Sequence, residues 1–111
     1  MKRDIRVYLD DILESIGKIQ NYTENISEEQ FKKNDQLHDA VLRRFAIIGE
    51  AIKHVPEDFK KDHQEIPWRD ISGMRDVLIH EYFGVRLERV WNTIKDDLPE
   101  LKEKIKRLLI V

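Results

Sequence analysis

Arg75 and His80 are the side chains of this sequence best suited to chemistry on an anionic ester. Imidazole titrates near neutrality and can take or give a proton. A guanidinium binds phosphate through a bidentate fork and stabilises charge that develops on it. The two residues stand five apart, which on a helix separates them by about 140°. One chain therefore does not cluster them. The flanking Ile79 and Phe83 give the His80 side an apolar character, and a symmetric homodimer packing there would bring two copies of Arg75 and His80 into one cleft, a composite arrangement suited to phosphodiester chemistry. On the residues alone, a structural ion pair or a helix-end histidine in an inert bundle is the favoured reading. Tyr82 lies on the same helical line as Arg75 and Leu78 and reads equally as a half-buried packing residue.

The elements that must carry these residues are helices. Ile5, Tyr8, Leu9, Ile12, Leu13, Ile16 and Ile19 recur at helical spacing, predicting an amphipathic helix over residues 4–22 with Asp4 at its N-cap. Ser27-Glu28-Glu29-Gln30 is a capping box opening a short helical turn. Asn34 caps a longer helix that ends near Val55, before Pro56. Val41, Phe45, Ile48 and Ile52 form one stripe of it, and Leu42, Ala46 and Gly49 form a narrower second one, where small residues allow a close neighbour. Residues 56–67 read as a polar connector with one helical turn. Pro67 fits the first position of the next helix, which is interrupted at Gly73 and carries Ile71, Met74 and Leu78 toward the core. Gly84 ends that helix. Another spans residues 87–97, and Pro99 restarts or kinks the chain into a last helix bearing Leu101, Ile105, Leu108 and Leu109. The expectation is an all-α fold, an antiparallel bundle of four or five helices, with residues 1–111 as one domain.

Composition narrows the functions. The 111 residues include 38% charged side chains but only four glycines and three prolines, which favours helix. There is no cysteine, hence no disulfide framework and no thiolate chemistry. No apolar run approaches a membrane span, and Met1-Lys2-Arg3-Asp4 lacks the apolar stretch of a signal peptide, so a soluble, cytoplasmic protein is expected. The net charge of −2 argues against long-range capture of nucleic acid, although Lys102, Lys104, Lys106 and Arg107 gather near the C-terminus. Asp10, Asp11 and Glu14 are a weak metal candidate, because Glu14 and Lys18 are spaced as a surface pair. His38, His54 and His63 have neither HExxH nor zinc-finger spacing. Glu50 falls with Asp39, Arg43 and His54 on a polar stripe, and Trp68 and Trp91 read as core anchors. No phosphate-binding glycine loop and no nucleophilic Ser arrangement is present.

The pattern Arg-x4-His-x-Tyr, here Arg75, His80 and Tyr82, resembles the signature of HEPN-domain toxins of the HepT-like group. Its surroundings resemble that group too: Ile48-Gly49-Glu50-Ala51, Ile66-Pro67-Trp68, Gly73-Met74-Arg75, Glu81-Tyr82-Phe83-Gly84-Val85 and Val90-Trp91. The likeness spans nearly the whole chain. It implies a HEPN-like, dimeric, metal-independent endoribonuclease needing no cofactor, the toxin of a type II or type VII-like toxin–antitoxin pair. In that scheme the RNA 2′-hydroxyl attacks the adjacent phosphorus, leaving a 2′,3′-cyclic phosphate and a 5′-hydroxyl. The resemblance assigns His80 as general acid or base, Arg75 as the phosphate-binding group and Asp76 as a supporting residue that orients the site. It implies a minimal nucleotidyltransferase antitoxin as partner, with Tyr82 as the tyrosine modified by AMP. Arg86 departs from the pattern, standing where a capping Asp is expected and adding, with Arg89, a cation near the motif. The alternative reading is a non-catalytic HEPN module that binds a nucleotide or dimerises beside a nucleotidyltransferase.

Overall fold

The computed structural model describes residues 4–80 and 87–110, with residues 78–80 described by their backbone alone. Within that span the secondary structure is helical. Helix α1 covers Ile5–Thr23, α2 Glu28–Lys32, α3 Asp35–His54, α4 Glu57–Asp62, α5 Trp68–Ser72 and α6 Met74–His80; α7 covers Leu87–Asn92 and α8 Leu98–Ile110. None of these helices is long and apolar enough to cross a membrane.

The caps foreseen from sequence start the first three helices. Asp4 accepts the Arg6 N–H at 2.9 Å, and Asn34 accepts the Leu37 N–H at 3.0 Å. At Ser27 the capping box is complete: its hydroxyl accepts the Gln30 N–H, and the Gln30 side chain accepts the Ser27 N–H. Each such cap satisfies backbone donors that the first turn cannot pair internally.

Helices α1 and α3 run antiparallel and form the largest contact in the fold, with the Tyr8 ring stacked 5.3 Å from the ring of His54. Ile12, Ile16 and Ile19 from α1 meet Val41, Phe45 and Ile48 from α3, all fully buried. Burial of side chains of this size stabilises by roughly 1.5–3 kcal/mol each. Phe31, Ile66, Ile71, Met74, Val90, Ile94, Leu98 and Ile105 join the same core, so α2 and the later helices close over the α1–α3 pair. Trp68 is buried, as expected of an anchor, and donates its indole N–H to the His63 carbonyl at 3.1 Å. Trp91 is only half-buried against Phe31.

The helical turn expected in the connector after Pro56 is the six-residue helix α4, whose Phe59 packs on the core. The fold departs from the sequence expectation at two places. Pro67 is the N-cap of α5 rather than its first residue, with an extended-side ψ of 70°. Residues 87–97 are not one regular helix: α7 opens into a wide turn over Thr93–Asp97, where the Leu98 N–H reaches the Thr93 carbonyl five residues back. Pro99 explains this. It has no N–H for the Lys95 carbonyl, and its ring would press on that carbonyl in a regular helix, so the turn before it widens. The expected interruption at Gly73 is present, as a one-residue offset between α5 and α6 in ordinary right-handed geometry.

Candidate active site

Helix α6 presents the motif, and the core fixes its orientation. Ile71 at the end of α5 and Met74 at the start of α6 are both buried, while Arg75 and Asp76 project to solvent. The Arg75 guanidinium lies 3.4 Å from the Asp76 carboxylate, with side chains 52% and 70% exposed. An ion pair that open contributes little to stability. It does restrain a flexible arginine while leaving both side chains open to solvent. His80 closes α6 along its backbone, so the offset of about 140° from Arg75 applies to the helix as folded. The His80, Leu78 and Ile79 side chains, and Tyr82, Phe83, Gly84 and Arg86, lie outside the described residues.

Close packing behind the motif comes from Gly49 on α3. A Cβ built there would stand 3.5 Å from the Ser72 carbonyl, so the small stripe of α3 does seat the segment that carries Arg75. Leu42 and Ala46, the other members of that stripe, are half-buried.

A cleft of about 680 Å³ lies between α5–α6 and α7–α8, floored by Phe45, Ile71, Met74 and Leu101. Its rim carries Asp70, Glu88, Asp97 and Glu100 against Arg89 and Lys104. Lys104 is already held by Glu100 at 3.1 Å and by the Glu65 carbonyl at 3.0 Å. Four carboxylates with one further cation make this cleft a poor seat for a phosphate. Arg89, expected near the motif, belongs to this acidic rim, and the cleft itself was not legible in the sequence because its walls come from four separate helices.

The other candidates fall where the surface readings put them. Glu14 pairs with Lys18 at 3.6 Å, and Glu50 with His54 at 3.4 Å, both exposed. His38 bonds the Phe31 carbonyl at 2.7 Å and His63 sits against Phe59, so both histidines serve packing.

Among the described residues the fold is helical and displays an Arg-Asp pair on a short, core-anchored helix. The chain belongs to the ribonuclease HepT-like family, matching it over residues 12–108. A probable ribonuclease HepT of Thermococcus cleftensis is 48% identical over 108 residues, covering 97% of this chain and 98% of that protein. A Methanocaldococcus jannaschii chain with a provisional RNase name is 43% identical over 108 residues, covering 97% and 89%. In the same organism a larger protein, named for both gamma-glutamylcyclotransferase and a provisional RNase, is 46% identical over 109 residues; those cover 98% of this chain and 49% of that protein, so this chain spans about half its length. No solved structure matches the chain at a significant level.

Proposed function

We propose that residues 1–111 form one domain acting as a metal-independent endoribonuclease, the toxin of a toxin–antitoxin pair. The observation that carries this reading is Arg75: a half-exposed guanidinium, steadied by Asp76, on a helix whose opposite face is locked into the core. Arg75 binds the scissile phosphate and the charge that builds on its oxygens. The 2′-hydroxyl attacks phosphorus and the bond to the 5′-oxygen breaks. His80 either takes the hydroxyl proton or delivers one to the departing oxygen. Since the two residues diverge on one helix, the complete site is formed at a homodimer interface by two copies of α6. A minimal nucleotidyltransferase is the cognate partner, and the cytoplasm is the place of action.

The test is cleavage of RNA by the purified protein in excess chelator, with end-group analysis. The expected products carry a 2′,3′-cyclic phosphate and a 5′-hydroxyl. Products with 5′-phosphate ends, or activity abolished by the chelator, would overturn the mechanism. Absence of cleavage, with retained binding of a nucleotide or of a nucleotidyltransferase, would favour the non-catalytic module instead.

A further inference from the structure

Among the described residues Lys53 and Lys61 lie on no acid, and the other lysines fall into two groups. Lys18, Lys32, Lys33, Lys60, Lys104 and Lys106 each lie on an acid three or four residues away in their own helix, at 3.0–3.9 Å. Lys95 and Lys102 differ. Lys95 donates to the Thr23 carbonyl at 2.9 Å, and Lys102 to the Gln20 side-chain oxygen at 3.3 Å. Both partners are neutral, and among the described residues neither lysine has a carboxylate within ion-pair distance. Their positions are therefore fixed while their charges are not cancelled, and each ammonium keeps further N–H donors.

Both line one groove of about 430 Å³ between the end of α1 and the start of α8. Gly17, Gln20 and Asn21 form its α1 side, and a Cβ at Gly17 would meet nothing within 4 Å, so the groove is open there. Lys95 also lies 4.7 Å from the centre of the Trp91 ring, which holds the ammonium from a second side. Their neutral acceptors, Thr23 and Gln20, stand three residues apart on α1, so both ammonium groups are held beside the last turn of that helix. One carboxylate, Glu24, sits on the rim and opposes an anion.

We infer that this α1–α8 groove binds the phosphate backbone of single-stranded RNA, remote in sequence from the Arg75 motif. The inference rests on the ribonuclease reading for its choice of polyanion. Paired lysines elsewhere cannot do the same, because their own acids repel a phosphate.

The test uses the full-length protein and a single-stranded 2′-O-methyl oligonucleotide of about twelve nucleotides, which lacks the attacking hydroxyl and so reports binding without cleavage. Fluorescence anisotropy across a salt series gives affinity and salt slope. Lys102→Gln and Lys95→Gln should each weaken binding about fivefold near 0.1 M salt and reduce the salt slope by about 0.7. Lys102→Arg should retain binding, Lys33→Gln should leave it unchanged, and Glu24→Gln should tighten it. Lys102 meets only the side chain of Gln20, so Lys102→Gln remains informative even if Lys95→Gln unfolds. Equal affinity and slope for parent and folded Lys102→Gln would overturn the groove assignment. So would failure of the parent to bind the oligonucleotide. Cleavage of unmodified RNA, measured in parallel, shows whether the ribonuclease reading falls with it or stands alone.

Discussion

The Ser72 carbonyl lies 3.5 Å from the point where a side chain on Gly49 would begin. This is ordinary contact distance, so a methyl fits and anything longer must displace α5. Gly49→Ala should fold normally and gain up to about 1 kcal/mol from helix propensity. Gly49→Leu should cost about 1–3 kcal/mol by overpacking, and should depress RNA cleavage because α5 leads directly into α6. Thermal denaturation beside a cleavage assay checks both; a Leu variant as stable and active as the parent would show that this contact does not position the motif.

Arg75→Ala should reduce RNA cleavage by about 10²–10³, the usual cost of losing a charge-stabilising donor, while the melting temperature stays close to that of the parent. The stability half follows from the exposure of the Arg75–Asp76 pair. His80→Ala should lose about 10²–10⁴ in rate, as expected for a positioned acid–base group, and keep the fold and the dimer. Parent-like cleavage by both variants refutes the assigned roles, and unfolding of both shows that they were structural.

Met74 separates position from chemistry. It is buried one residue before Arg75. Met74→Ala should cost about 2–5 kcal/mol and lower cleavage by loosening α6. Met74→Leu, of similar volume, should cost under about 1.5 kcal/mol and restore activity. If Met74→Leu is stable yet inactive, the thioether itself acts at the site rather than through the placement of Arg75.

Much of this was legible in the sequence wherever neighbours along the chain decide the outcome. The α1 stripe, the Asp4 and Asn34 caps, the Ser27 capping box and the break at Gly73 all depend on residues within a turn or two. The wide turn over Thr93–Asp97 was half legible: Pro99 announced a disturbance, but not that the helix would absorb it by widening rather than stopping. The groove between α1 and α8 was not legible, because Lys95 and Lys102 find their neutral acceptors 72 and 82 residues away in the chain. The basic residues near the C-terminus stood out as a group, and helical spacing already separates Lys102 from Lys104 and Lys106, which have acids within one turn, but only folding supplies its Gln20 acceptor. Arg75 could be singled out from its spacing to His80 and Tyr82, and the proposal that two chains complete the site came from the same spacing.

Tyr82 carries the regulatory prediction. A phenol can attack the α-phosphorus of ATP, releasing pyrophosphate and leaving AMP on its oxygen. We expect the cognate nucleotidyltransferase to perform this transfer and so to silence the ribonuclease. The adenylyl phosphate is an anion, and we expect the exposed guanidinium of Arg75, seven residues earlier in the sequence, to donate to it, so that it occupies the place of the RNA phosphate. Charge repulsion would then exclude substrate even where shape did not. Intact-mass measurement of this protein after incubation with the partner and ATP should show one added adenylyl group per chain, absent in Tyr82→Phe. Arg75→Ala should still be labelled, since Arg75 receives the phosphate only after transfer. An unlabelled parent, or equal labelling of Tyr82→Phe, removes Tyr82 from regulation and leaves it a packing residue.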